Sequence, residues 1–299
     1  MDTPYVDRSV LCASPGGLHR VAYREWGGRG GRGGRGDEHG RDKPVLLCLH
    51  GLTRNGRDFD ALGAALGSEF RVVCPDLPGR GRSDWLPDPG GYGLEQYVSD
   101  MMTLIARLDV ERVGWLGTSL GGLVGMCLAG HPEAPIERLL LNDIGPRLEA
   151  AALRRIGDYL GRAPAFADEA EAERYVRRVS APFGTLSDAD WRHLTQVVLR
   201  RTLDGGYELN FDPAIAESFR RATDGGGSDL DLWSSYEKIV CPTLLVCGAE
   251  SDLLSRATVR RMAACGPRPQ CIEIAGVGHA PMFIDPEQIA LAHDFFRPR

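Results

Sequence analysis

The chain has 299 residues, 43% of them hydrophobic and 25% charged, with a formal net charge of −6. That length fits one large domain or one core with an insertion, and the composition is that of an ordinary globular protein. Nothing in the charge draws the chain to nucleic acid or anionic lipid, and no apolar run reaches the roughly 18 residues of a membrane span. The first residues, MDTPYVDRSV, lack the apolar stretch of a secretory signal, so the expected setting is the cytoplasm, with no membrane or nucleic-acid partner.

In chain order, HRVAYREW (19–26) reads as a strand and is followed by GGRGGRGGRGDEHGRDK (27–43), a low-complexity stretch unable to bury a core. The latter is expected to be an overgrown flexible loop that carries no chemistry. It also looks like a short RGG tract of RNA-binding segments, but it lacks interleaved aromatics and runs at once into Asp37 and Glu38. Then come the strand VLLCLHG (45–51), the helix ALGAALGSEF (61–70), the strand RVVCPD (71–76) and the helix LEQYVSDMMTLIARLDV (94–110). The strand RVGWLG (112–117), the helix LGGLVGMCLAGHP (120–132) and the strand RLLLND (138–143) follow. Much later come two more strands, TLLVCG (243–248) and QCIEIAG (270–276). Continuous apolar strands alternating with helices predict an α/β fold with a mostly parallel sheet covered on both faces. The gap between Asp143 and Pro242 is too long for a simple connection. It reads as helical, without a convincing sheet strand, and is expected to stand over one end of the sheet. The expected core is therefore 1–145 and 234–299, with a helical insertion at 146–233 and the loop 27–43 inside the core.

None of the eight cysteines forms C-x-x-C or sits at zinc-ligand spacing from a histidine, and several lie in apolar runs, where they are expected to be buried small residues. The spacing calls for neither a metal nor an organic cofactor.

The stretch GWLGTSLGGLVG (114–125) places Ser119 in a G-x-S-x-G pentad. With 38 glycines in the chain, about 0.2 such pentads arise by chance, so context decides. The pentad lies at a strand-to-helix junction, where a nucleophile elbow needs small residues two before and two after the serine, and Gly117 and Gly121 supply them. A serine hydroxyl needs a base. Of seven histidines, His279 in GVGHAP follows the last strand in a Gly-flanked loop, at the end of the sheet where sites form. A carboxylate must hold that base, and three candidates follow strands: Asp143 in LNDIGP, and Glu250 and Asp252 in GAESDLLS. Asp252 is favoured for the order Ser, Asp, His and its place after the penultimate strand. The other reading of Asp143 is a strand-end residue capping a turn. The oxyanion donors are expected to be the amides of Leu120, just after the nucleophile, and of Leu52, after His50-Gly51. Arg54 and Asn55 stand beside that loop as candidate contacts to a substrate carboxylate or carbonyl, and also read as a polar helix start. Tyr159, Phe183, Trp191 and Phe211 are candidates to line an acyl pocket, with Trp191 the first choice for substrate contact, and equally candidates for the insertion's own core.

LHGLTRN (49–55), PDLPGRGRSD (75–84), GTSLGG (117–122), GAESDLL (248–254) and GVGHAP (276–281) together resemble the α/β-hydrolase superfamily, in its branch with a helical lid. The resemblance spans residues 18 to 296. It implies a serine hydrolase that cleaves a small or medium carboxylic ester, lactone or thioester through an acyl-enzyme, with water and a small-molecule substrate as its partners. PDLPGRGRSD is similar to a structural turn of that family and implies no catalysis. Haloalkane dehalogenases and epoxide hydrolases of the family carry aspartate where Ser119 stands. Carbon–carbon hydrolases of ring-cleavage products, and enol-lactonases, are the alternative on the same fold. The oxyanion loop HGLTRNGRDF differs from the Gly-rich loop of the former. A non-catalytic ligand- or RNA-binding protein is a third reading, disfavoured because every triad member has a candidate.

Overall fold

Every residue of the run Val45–Leu49 is buried, as a strand covered on both faces must be. The computed structural model describes residues 4–28, 43–160, 164–224 and 229–298. Most of the expected Gly/Arg loop at 27–43 therefore lies outside the described residues.

The first half of the chain alternates strands and helices: β1 (Tyr5–Ser14), β2 (Gly17–Trp26), β3 (Val45–Leu49), α1 (Asp60–Leu66), β4 (Arg71–Pro75), α2 (Leu94–Leu108), β5 (Val113–Thr118), α3 (Leu120–Ala129) and β6 (Ile136–Asn142). An inserted segment follows, made of β7 (Arg147–Leu148), α4 (Ala150–Leu160), β8 (Ala165–Phe166), α5 (Glu169–Val179), α6 (Asp188–Val197), β9 (Leu199–Arg201), β10 (Tyr207–Leu209), α7 (Ile215–Asp224), β11 (Leu230–Asp231) and α8 (Trp233–Tyr236). The core resumes with β12 (Thr243–Gly248), α9 (Arg256–Ala264), β13 (Gln270–Ile274) and α10 (Pro286–Phe296).

Eight strands form one sheet in the order β1-β2-β4-β3-β5-β6-β12-β13. β1, β2 and β4 pair antiparallel, and the other neighbours are parallel. Alternate residues feed opposite faces, as the two-residue strand period requires. Leu47, Leu49, Trp115, Leu139 and Leu141 enter one buried cluster, while Leu46, Cys48, Leu116 and Leu140 enter the other. The sheet is thus the middle layer of three, and the C-terminal ends of its parallel strands β3, β4, β5, β6, β12 and β13 point to one rim.

Two features differ from the sequence reading. β1 was not expected; it hairpins onto β2 with a full ten-residue register. The insertion does contain strands, a three-stranded β8-β10-β9 sheet and a β7–β11 pair, each two or three residues long. Segments that short carry no legible period. Among the described residues no helix is long and apolar enough to cross a membrane. All eight cysteines are free; Cys12, Cys48, Cys74 and Cys247 are buried as expected, Cys127, Cys241 and Cys265 are half-buried, and Cys271 is exposed.

Candidate active site

The turn from β5 to α3 forces Ser119 to φ 52° and ψ −114°. That conformation is costly for a non-glycine residue, so the surroundings must hold it. A Cβ on Gly117 would lie 2.3 Å from the Gly121 carbonyl oxygen, and one on Gly121 would lie 2.1 Å from that of Leu49. Both glycines are therefore demanded by backbone approach. The buried Trp115 indole donates to the Gly121 carbonyl at 3.0 Å and ties the turn down from below.

His279 comes from the loop after β13, and its Nε2 lies 2.9 Å from Ser119 Oγ. Its Nδ1 lies 2.7 Å from Asp143 Oδ2. The carboxylate on the histidine is thus Asp143, at the end of β6, and not the favoured Asp252. Asp143 is fully buried. Its Oδ1 accepts from the Gly248 amide at 2.9 Å, and its Oδ2 also accepts from the Ser251 hydroxyl at 2.6 Å. Asp252 is 61% exposed and pairs with Arg155 of α4 at 2.9 Å, and Glu250 is exposed as well. The loop after β12 curls so that Ser251, not the residue beside it, faces inward. Asn142 joins the three loops by donating to Thr118 Oγ1 at 2.9 Å and to the Pro281 carbonyl at 2.7 Å.

The loop after β3 is fixed by two residues that the sequence reading gave no role. His50 is fully buried, accepts from the Leu77 amide at Nε2 (2.9 Å), and donates from Nδ1 to the Gly51 carbonyl at 2.6 Å. Burial pushes its pKa down to about 3, so the ring is neutral and this tautomer is fixed. Arg80, also fully buried, donates to the Leu52 carbonyl at 2.8 Å, to the Pro78 carbonyl at 2.7 Å and to the Tyr97 hydroxyl at 2.7 Å. The PDLPGRGRSD turn is therefore the brace of the Leu52 peptide. Among the described residues neither the Leu52 nor the Leu120 amide has a protein acceptor. Leu120 opens α3, where amides are left unpaired by the helix itself.

Ser119 lies where two cavities meet. One, of about 210 Å³, is lined by Arg54, Tyr159, Phe183, Phe211 and His279. The other, of about 250 Å³, is lined by Leu120, Leu123, Leu153, Phe219 and Leu253. Leu52 and Ile156 border both. The inserted segment roofs them.

Two expected substrate contacts are placed elsewhere. Asn55 is buried, donating to the Val197 carbonyl at 2.6 Å and accepting from the Arg57 amide at 3.0 Å, so it locks the Leu52 loop to α6. Trp191 belongs to a buried cluster with Val176, Leu194 and Met282, where the insertion packs on the loop after β13, and lines neither cavity. Both polar-cap and core readings were open from sequence, and hydrogen bonding and packing decide for them.

Cys12, His19 and Asp100 bring three ligand-type atoms within 4.8 Å of one another inside the β1–β2–α2 interface. His19 Nε2 lies 3.0 Å from Asp100 Oδ2, and burial pushes the Cys12 thiol up to about 12. With His19 bonded to the Asp100 carboxylate and the Cys12 thiol donating to the Asp100 carbonyl, the group reads as a buried hydrogen-bonded tie between β1, β2 and α2.

Comparison with known proteins bears on the fold. The family model described as "Alpha/beta hydrolase family" matches residues 46–292. The chain is 49% identical over 292 residues to a 3-hydroxybutyrate-oligomer hydrolase of Cupriavidus necator, covering 96% of each chain. It is 26% identical to a 2-(acetamidomethylene)succinate hydrolase of Mesorhizobium japonicum, covering 82% of this chain and 84% of that one. Among solved structures, an alpha/beta hydrolase from Novosphingobium aromaticivorans superposes with a TM-score of 0.83 at 33% identity and covers 98% of both chains. With the sheet order, the strained serine turn and these matches in agreement, the chain belongs to the alpha/beta hydrolase family.

Proposed function

We propose that the protein is a serine hydrolase of carboxylic esters, acting on short oligoesters of a small hydroxy acid. The observation that carries this reading is the unbroken hydrogen-bond chain Ser119–His279–Asp143 at the junction of two cavities. The relative from Cupriavidus necator, named for 3-hydroxybutyrate oligomers, supports the substrate class.

In this mechanism His279 Nε2 takes the Ser119 proton as Oγ attacks the ester carbonyl. The oxyanion is held by the Leu52 and Leu120 amides. The bond to the alcohol oxygen breaks, and His279 hands that oxygen its proton. Water, deprotonated by the same base, then opens the acyl-enzyme and restores Ser119. Asp143 holds the imidazole with its proton on Nδ1 and stabilises the imidazolium. None of these steps calls for a metal or organic cofactor.

The inserted segment acts as a lid. Its α5 and α6 carry charge on their outer faces, as in EAEAERYVRRV and DADWRHLTQV, which suits water rather than lipid. The two cavities together fall in the range of a small-molecule site, about 300–1,000 Å³, so small or medium acyl groups fit and long chains do not.

The test is hydrolysis of the 3-hydroxybutyrate dimer and trimer, beside p-nitrophenyl esters from acetyl to palmitoyl, by purified protein. Turnover of the oligomers with a maximum at short acyl length is expected. Failure on every oligomer, a maximum at palmitoyl, or activation at an oil–water interface would refute the reading.

A further inference from the structure

We propose that the two cavities sort the halves of the ester by charge: the acyl half enters the 250 Å³ cavity, and the leaving alcohol, carrying a carboxylate, enters the 210 Å³ cavity beside Arg54. This rests on the ester-hydrolase reading above.

The first line of argument is the path of the proton. When the tetrahedral intermediate collapses, the carbon–oxygen bond to the alcohol breaks and its oxygen takes the proton held on His279 Nε2. The leaving oxygen must therefore lie within hydrogen-bond reach of that nitrogen. His279 lines the 210 Å³ cavity and not the other, so the alcohol half departs through the former. The acyl half is left to the cavity floored by Leu120 and Leu123.

Charge gives the same direction independently. The alcohol-side cavity is lined by both Arg54 and Asp58; Asp58 accepts from Arg54 Nε at 2.9 Å and Nη2 at 2.5 Å, and the guanidinium is set 5.8 Å from the Phe183 ring. Both contacts use one edge of the guanidinium. Among the described residues Nη1 has no protein acceptor, so the opposite corner of the fork is available to a carboxylate. The acyl-side cavity has no Lys or Arg among its lining residues, and Asp229 and Asp231 stand at it. The Ala150 amide and Arg147 hold Asp229 below the usual carboxylate range, so it stays charged. A carboxylate thus meets a charged donor at the Arg54 Nη1 corner in the first cavity, whereas the second offers it no basic side chain, its Asp229 being already paired with Arg147. For an oligoester of a hydroxy acid, whose alcohol half ends in the free carboxylate, cleavage then proceeds from the carboxylate end and releases short acids stepwise.

The test uses three synthetic esters: phenyl acetate, 3-acetoxybenzoate (carboxylate on the leaving group) and phenyl succinate monoester (carboxylate on the acyl group). The wild type should prefer 3-acetoxybenzoate over the succinate. In Arg54→Gln the ratio of kcat/KM for 3-acetoxybenzoate to that for phenyl acetate should fall roughly ten-fold, the scale of a lost hydrogen bond to a charged group, and mainly through KM. Arg54→Lys should restore part of it, and added salt should erode the ratio in the wild type but not in Arg54→Gln. Because the ratio is internal to each variant, a general loss of fold or chemistry cancels. An unchanged ratio, or a fall for the succinate instead, would overturn the sorting while leaving ester hydrolysis standing. No turnover of any of the three by the wild type would overturn both.

Discussion

Exchanging Asp143 for asparagine separates the observed carboxylate from the one its position in the chain favours. In the wild type Oδ1 accepts from the Gly248 amide, while Oδ2 accepts from Ser251 Oγ and His279 Nδ1. In Asp143→Asn the Gly248 amide keeps the side-chain oxygen on the Oδ1 side, which puts the NH₂ where Oδ2 was. That group donates to Nδ1 instead of accepting from it. The imidazole proton then moves to Nε2, which faces Ser119 Oγ across 2.9 Å with an N–H where a lone pair is required. The shape is kept and the base is lost. The same exchange in a Ser–His–Asp triad costs about 10⁴ in kcat, or roughly 5.4 kcal/mol at 1.36 kcal/mol per decade. Asp252→Asn removes one exposed ion pair to Arg155, worth at most about 1 kcal/mol of stability and nothing in the proton relay. The assay is kcat on p-nitrophenyl butyrate for both variants, with circular dichroism and a urea midpoint to show that each is folded. A folded Asp143→Asn retaining more than about a tenth of wild-type kcat, or an Asp252→Asn down by about a thousand-fold, would refute the assignment.

Ser119→Ala should lose several orders of magnitude in kcat while folding normally, and a fluorophosphonate should label Ser119 alone by mass spectrometry. Gly121→Ala sets a methyl 2.1 Å from the Leu49 carbonyl oxygen and should cost more than about 3 kcal/mol by urea denaturation, or prevent folding. His50 titrates near 3 in the fold and near its usual value of about 6.5 when unfolded. Between those values the unfolded chain binds a proton that the folded chain refuses, so stability falls as pH drops through that window. From pH 6.5 to 4.5 this one group removes about 2–3 kcal/mol, and the drop in urea midpoint over that interval should be visibly smaller in His50→Gln than in the wild type.

The parts of the fold legible in the sequence are those whose physics is local. The elbow could be read because its small residues stand at a fixed spacing about Ser119 and Gly117 is forced by the Gly121 carbonyl within the same turn, although the contact that forces Gly121 itself comes from Leu49 on β3. The central strands could be read because burial on both faces leaves them continuously apolar. His279 was marked by its loop after the last strand. Asp143 was not, because the order Ser, Asp, His holds for it as well as for Asp252. Only the packing of β12 against β6 turns Ser251 inward and leaves Asp252 facing water. Asn55 and Trp191 carry residue types that serve substrates and cores equally, and the decision rests with the Val197 carbonyl and the Met282 side chain, far off in sequence. The working roles of His50 and Arg80 were hidden for the same reason: their hydrogen-bond partners are Leu77 and Leu52, joined only by the fold.

Thr118 and Asn142 are ladder partners on β5 and β6, and Ser119 and Asp143 are the next residues on each strand, both at φ 52°. The proposed nucleophile and the carboxylate on its histidine are thus twin positions, spaced by the sheet itself at about 4.8 Å between strands. Their geometry rests on the eight-stranded sheet, whereas about half of each cavity's lining comes from the insertion, whose strands are only two or three residues long, and segments with so little pairing belong with the weaker cooperative units. Selectivity and chemistry should then come apart under mild denaturant. As urea rises below the global transition, discrimination among acyl lengths should fade first, and a small activated ester should go on being cleaved by an enzyme that has become less choosy before it has become inactive.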